Sequence, residues 1–353
     1  MSVPAVEAAA PAETIAAAKL LLAQMGISPA DLVTITTRVP TFAEVIPRVR
    51  ATLSPGTLRT YNTGLTRLEV TWPDRRLDEP TKAEFEEMTR AIQAGARVNR
   101  ASRGGTSAVQ NFISALRCIY RYAEDSGWIR RTDNVARQLA MPVRRPSHRY
   151  AIPSARLAEI CQAAATSGDD PELDALILRL HIETACRRSG ALALRPHDLD
   201  REQCLVYLRE KEGSDRWQPV SPTLMRYLIE HAEQRHSPLM GQLLRYRNGR
   251  AISSRRYDHI WHRVGEILPW VAAQGITTHW LRHTTLTWVE RTFSYAVARA
   301  YAGHSGKGPG ATATYVKSYL AEVAAALSVL TGEPHPILSA QLPSPTAMTA
   351  SAR

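Results

Sequence analysis

The stretch "TTHWLRHTT", residues 277–285, sets His279 and His283 four apart with Arg282 between them. Residues at that spacing share one face of a helix, the arrangement by which paired histidines hold zinc in hydrolases. Such a site also needs an acidic residue beside the first histidine. Here a permanent cation stands next to the second one instead. Nitrogen donors that converge in this way suit an anion better than a metal, so no metal ligand is assigned.

Composition points the same way. The 353 residues carry 44 Lys and Arg against 33 Asp and Glu, a formal net charge of +11. A basic excess of this kind fits a polyanionic partner, and nucleic acid is the usual one. Most of the positive charge is guanidinium, which grips phosphate oxygens through forked hydrogen bonds. No run of 18 apolar residues appears, and the alanine-rich start has no basic stretch ahead of an apolar core. Neither a membrane span nor a signal peptide is expected, and the reading is a cytoplasmic protein. Cys118, Cys161, Cys186 and Cys204 stand singly, which argues against a structural zinc and a disulfide framework.

Outward from the opening stretch, the chain divides by pattern. Residues 1–38 read as an extension with one helix near 12–25. Residues 39–147 form a helical domain, with amphipathic helices on either side of "LSPGT", where Ser54 or Thr57 caps the second, and further helices in "TKAEFEEMTRAIQAG" and "GTSAVQNFISALRCIYRYAEDSG". Its arginines gather at helix starts and connections, and Arg59, Arg100 and Arg103 are the candidates for phosphate contact. "MPVRRPSHRYAIP" reads as a basic linker whose Arg144 and Arg145 track a phosphate backbone. Residues 148–331 form a second, α-rich domain. In it "CLVYLREKEGSDRWQPV" has period-two apolar stretches on both sides of "EGSD", the pattern of a β-hairpin. The proline- and serine-rich residues 332–353 read as a disordered tail.

Five segments of the second domain then fall in order: "TACRRSGALAL", "REKEGSDRWQPV", "HWLRH", "AGHSG" and "TATYVKSYL". Together they resemble the tyrosine recombinase (phage integrase) family, over roughly residues 41–330 and most strongly over 184–320. The resemblance implies a mainly α fold in which a core-binding domain and a catalytic domain form a C-shaped DNA clamp. It implies the catalytic set Arg187, Lys211, His279, Arg282, His304 and Tyr315, picking Arg187 over its neighbour Arg188 and Tyr315 over Tyr301 and Tyr319. The reaction implied is site-specific recombination. Tyr315 attacks a DNA phosphodiester, Arg187, Arg282 and His304 stabilise the charge that develops, His279 serves as base and Lys211 protonates the leaving 5′-oxygen. No cofactor is called for, and the partners implied are double-stranded DNA sites and three further copies of the chain in a tetramer, with accessory factors possible. A type IB topoisomerase and a DNA-binding clamp without turnover are the rival readings.

Two departures from the family pattern stand out. An acidic residue often lies three positions after the first arginine of the family, and here that position is Gly190. The segment "SGKGPGA" before Tyr315 is about two residues longer than the common form. The apolar stretch "SYLAEVAAALSVL", residues 318–330, is expected to form a helix that docks on a neighbouring protomer.

Overall fold

The computed structural model describes residues 12–27, 38–96, 103–143, 149–210, 215–303 and 319–339. It separates into two compact units, 1–146 and 147–353.

The first unit is helical, and local capping sets its helix starts. An outlying helix α1 (Ala12–Gln24) precedes α2 (Phe42–Thr52), α3 (Pro55–Thr71), α4 (Lys82–Ala94), α5 (Thr106–Asp125) and the short α6 (Val135–Gln138). Thr41 with Glu44, and Thr81 with Glu84, form reciprocal capping boxes that satisfy orphan amides at the starts of α2 and α4. Ser54, not Thr57, caps α3. The long α5 is the hub, with Phe112, Leu116, Ile119 and Tyr120 buried against the other helices. Gly105 ahead of it has φ 78°, and a Cβ there would stand 2.8 Å from Ala96 Cβ. Only glycine takes that turn without strain.

The second unit begins with α7 (Ser154–Thr166), α8 (Pro171–Thr184) and α9 (Arg188–Ala193). The hairpin read from the sequence is present as β2 (Leu205–Leu208) and β3 (Arg216–Pro219), paired antiparallel with Leu208 opposite Arg216. A two-residue strand β1 (Leu199–Asp200) adds an edge on β2. Then follow α10 (Pro222–Gln234), α11 (Ser254–Ile267), α12 (Pro269–Gln274), α13 (Thr278–Thr292), α14 (Tyr295–Tyr301), α15 (Tyr319–Thr331) and α16 (Pro336–Ser339). The architecture is mainly helical with one small antiparallel sheet. Among the described residues, no helix is long and apolar enough to cross a membrane.

Two expectations about the C-terminal part change. Helix α15 does form, but its apolar face lies on its own chain: Val323, Ala324, Ala326 and Leu327 are buried, in contact with β3 and α14. A helix this apolar has to cover itself, and a surface in cis is available. Residues 332–339, read as part of a disordered tail, are anchored. Glu333 pairs with Arg179 at 3.0 Å and takes the Thr223 N–H at 3.1 Å, while His335 is buried against the Cys204 carbonyl. Proline content says nothing of these side-chain anchors.

Candidate active site

Helix α13 displays the opening stretch in two directions. Its buried side includes Trp280, Leu281, Arg282, Thr284 and Thr285, and Thr285 Oγ1 donates to the Ile182 carbonyl of α8 at 2.8 Å. His279 and His283 lie toward the other side, His279 exposed and His283 half-buried. His283 Nδ1 meets Thr287 Oγ1 at 3.3 Å.

Arg282 points inward and is 5 % exposed, yet it donates to carbonyls and not to carboxylates. Nη1 reaches the Ala185 carbonyl and Nη2 that of Ala302 at 2.8 Å. Ala185 ends α8 in the left-handed region, φ 49°, an uncommon conformation for a residue with a Cβ. That turn places its carbonyl at Arg282. Burial, followed by the nearby Arg187 cation, lowers the Arg282 pKa to about 10, with Glu210 opposing. The guanidinium remains charged at neutral pH and is held rigid, as a preorganised anion donor must be.

Arg187 lies two residues beyond Ala185, at the N-cap of α9. Its Nη1 and its backbone N–H both reach Glu210, to Oε2 and Oε1 respectively, at 2.5 Å. Arg216 on β3 donates to the same Oε2 at 3.2 Å, to Gln218 Oε1 at 3.0 Å and to the Tyr301 carbonyl at 3.3 Å. Burial raises the Glu210 pKa, but Arg216, the Arg187 N–H, Arg282 and the Arg187 side chain outweigh it, and the net shift is downward. Glu210 is therefore ionised at neutral pH. Arg188 is exposed, its guanidinium 5.9 Å from the Tyr257 ring centre, so of the adjacent pair it is Arg187 that joins Arg282.

His279 closes this group. Partial desolvation lowers its pKa, and the cations Arg149, Arg282 and Arg187, with His283, push in the same direction. The imidazole is held neutral, as a proton acceptor should be. The same cations would repel a metal ion, which supports the anion reading of the His279 and His283 pair.

Of the remaining residues assigned from the sequence, Lys211, His304, Tyr315, Arg100, Arg144 and Arg145 lie outside the described residues. Arg103 opens a 3-10 turn, Arg103–Gly105. Arg59 is exposed on α3. The base of the hairpin that carries Lys211 is pinned on two sides. Arg209 makes a two-pronged ion pair with Asp198, and the Glu210 N–H donates to Asp215 Oδ1 at 3.2 Å. Tyr301, a rival nucleophile, is fully buried and donates its hydroxyl to the Glu183 carbonyl. Burial drives its pKa far up, which removes it from consideration.

Sequence reasoning missed Glu210 and Arg216. The available signals were the glycine at position 190, where an acid was expected, and charged residues close to the hairpin's connection, Glu210 just beyond β2 and Arg216 opening β3.

Residues 152–321 match the model of the phage integrase family. That match places residues 152–321 as a phage integrase family domain. No match is found among curated proteins. Solved structures share the fold at low identity. A lambda integrase dimer bound to a COC' core site superposes with TM-score 0.58 at 18 % identity, covering 87 % of this chain and 85 % of that one. The Tn1549 transposon integrase in complex with circular intermediate DNA gives TM-score 0.59 at 14 % identity, covering 79 % and 95 %. A lambda integrase tetramer bound to a Holliday junction gives 0.57 at 17 % identity, covering 85 % and 90 %. Arg187, Arg282 and His279 thus lie as one cluster within the matched domain, with Glu210 and Arg216 beside them.

Proposed function

We propose that this protein is a site-specific DNA recombinase that cuts and rejoins strands through a covalent 3′-phosphotyrosine. One observation carries the reading. Three guanidiniums, those of Arg187, Arg216 and Arg282, gather around a single buried carboxylate, Glu210, beside a neutral His279. Such a site has positive charge to spare, and an ionised phosphodiester would use it.

In this reaction Tyr315 Oη attacks phosphorus and loses its proton to His279. Arg187 and Arg282, with His304, stabilise the oxygens of the five-coordinate transition state. The bond to the 5′-oxygen breaks, and Lys211 supplies that oxygen with a proton. The phosphotyrosine keeps the energy of the broken ester, so a 5′-hydroxyl from a second duplex can reverse the step and exchange strands. Four copies on two duplexes complete the exchange, and the tetrameric Holliday-junction assembly of the lambda integrase is consistent with that number. In the first unit Arg59, Arg100 and Arg103, with Arg144 and Arg145 beyond them, contact the phosphate backbone. The protein acts in the bacterial cytoplasm, on the nucleoid.

The decisive test uses a nicked duplex carrying the site that the protein selects from a fragment library. Wild type should form a DNA adduct that survives denaturing electrophoresis in the presence of EDTA. Tyr315→Phe, which removes one oxygen, should bind the same duplex with unchanged affinity and form no adduct. An adduct formed by Tyr315→Phe would move the nucleophile elsewhere. Its absence from the wild type on every selected site would leave the DNA-binding clamp as the better reading.

A further inference from the structure

Gly190 and Glu210 occupy one volume. Gly190 is the third residue of α9, which Arg187 caps, and a Cβ built on it would lie 3.0 Å from Glu210 Cγ and 3.1 Å from Oε1. The third position of a helix is the place from which a carboxylate can turn back to the N–H of the capping residue, as Glu44 does for Thr41 and Glu84 for Thr81 in this same chain. At α9 that N–H belongs to Arg187, and its acceptor comes from elsewhere: Glu210, two residues beyond β2 and 23 positions along the chain, reaches over the bare glycine. The other Glu210 oxygen takes Arg187 Nη1 and Arg216 Nη1.

Given the recombinase reading, we infer that Glu210 is the positioning residue for Arg187, a carboxylate lent by the hairpin to a helix that cannot supply its own, with Gly190 as the space it requires. The consequence is mechanical as well as electrostatic. Lys211 follows Glu210 directly, so the residue that fixes the phosphate-binding arginine also fixes the root of the segment that carries the general acid. Arg209, clipped to Asp198 on the other side, leaves that root little freedom. Two functions that separate elements could provide independently are coupled here through one side chain. Glu210 does not touch the DNA; it acts through Arg187 and through the chain that leads to Lys211.

The coupling predicts reciprocal behaviour at the two positions. Glu210→Ala removes the acceptor, and adduct formation on the nicked duplex should fall by about 10²-fold, the scale seen when one preorganised donor is lost. Gly190→Glu alone crowds Glu210 and should also fall. The double variant Gly190→Glu/Glu210→Ala restores a carboxylate from within α9, as a capping box does, and should exceed the slower single variant by about tenfold or more. DNA affinity should change little across the series, because the first unit and the remaining arginines still hold the backbone. Glu210→Gln keeps the shape and one acceptor oxygen. It should fold and bind as wild type does while adduct formation slows, which separates positioning from folding. Melting temperature gives a readout without chemistry: it should drop in Glu210→Ala and in Gly190→Glu and recover in the double. Wild-type adduct rates in Glu210→Ala and Glu210→Gln, or a double variant no better than its worse parent in both rate and melting temperature, would overturn the inference. Failure of the wild type to form any adduct would instead count against the recombinase reading, and recovery of melting temperature in the double variant would still establish the pairing.

Discussion

The second unit contains two buried arginine–carboxylate networks, and they are built on opposite principles. In one, Asp174 is fully buried between Arg256 and Arg263; Arg256 reaches both of its oxygens, at 2.6 and 2.8 Å, and also pairs with Asp169 at 2.7 Å. Two guanidiniums face two carboxylates there, and Arg256 is 2 % exposed. In the other, Arg187 and Arg216 share Glu210, Arg187 is 35 % exposed, and a third and deeper guanidinium, Arg282, is held by carbonyls. The titration of the two acids follows the same division. Burial raises the Asp174 pKa in spite of its arginines, whereas around Glu210 the cations outweigh burial and the pKa is lowered. A network whose charges cancel serves packing. One that keeps an excess of one sign next to solvent awaits a ligand of the other sign.

The contrast is lost if the two networks respond alike to truncation. The largest effect expected is on stability, at Asp174. Asp174→Ala leaves Arg256 buried with its main counter-charge gone, and should lower the unfolding free energy by about 3–5 kcal/mol, read from denaturant titration. Arg187→Ala should do the reverse. Its side chain is a third exposed and Arg216 remains to neutralise Glu210, so unfolding should shift by no more than about 1 kcal/mol. Adduct formation should fall by about 10²–10³-fold. A large stability loss at Arg187 with little effect on the adduct would make both networks structural.

How much of this was legible beforehand depended on how local each feature is. The helices of the first unit and the hairpin follow from periodicity within a dozen residues and from caps such as Thr41 with Glu44. The alignment of Arg187, His279 and Arg282 follows from motif order. The Glu210 contact was not legible. It joins residues 23 apart, one capping a helix and the other just beyond a strand, with no spacing rule to link them, and only the glycine at position 190 hinted that an acid was missing. The destination of α15 was hidden for a different reason. A helix reading "YLAEVAAALSVLT" is apolar on most of its circumference, so its pattern names no single partner face, and the acceptor surface on β3 and α14 exists only once the chain has folded. Arg282 was legible as a candidate, while its carbonyl partners depended on the left-handed turn at Ala185 that no residue type announces.

The smallest effect expected lies in the histidines, and it sharpens the contrast between packing and function within one pH range. His181 is fully buried, its Nδ1 3.0 Å from the Cys186 carbonyl and its Nε2 3.0 Å from the Tyr257 hydroxyl, and burial lowers its pKa to about 4. His279 is lowered as well, but it is solvent-exposed and surrounded by cations. A depressed histidine pKa means that the unfolded chain takes up the proton first, so stability is complete above the unfolded value of about 6.5 and declines as pH falls toward the folded value. For His181 that decline should extend from about pH 6.5 to about 4, and His181→Gln should remove most of it from a series of melting temperatures. Adduct formation should follow His279 instead. Its acid limb should lie below about pH 6.5, because partial desolvation and then the neighbouring cations keep the base neutral, and the limb should be lost in His279→Gln at a reduced plateau rate. An acid limb that His181→Gln moves and His279→Gln leaves in place would show the pH response to be one of folding, and would take the role of base away from His279.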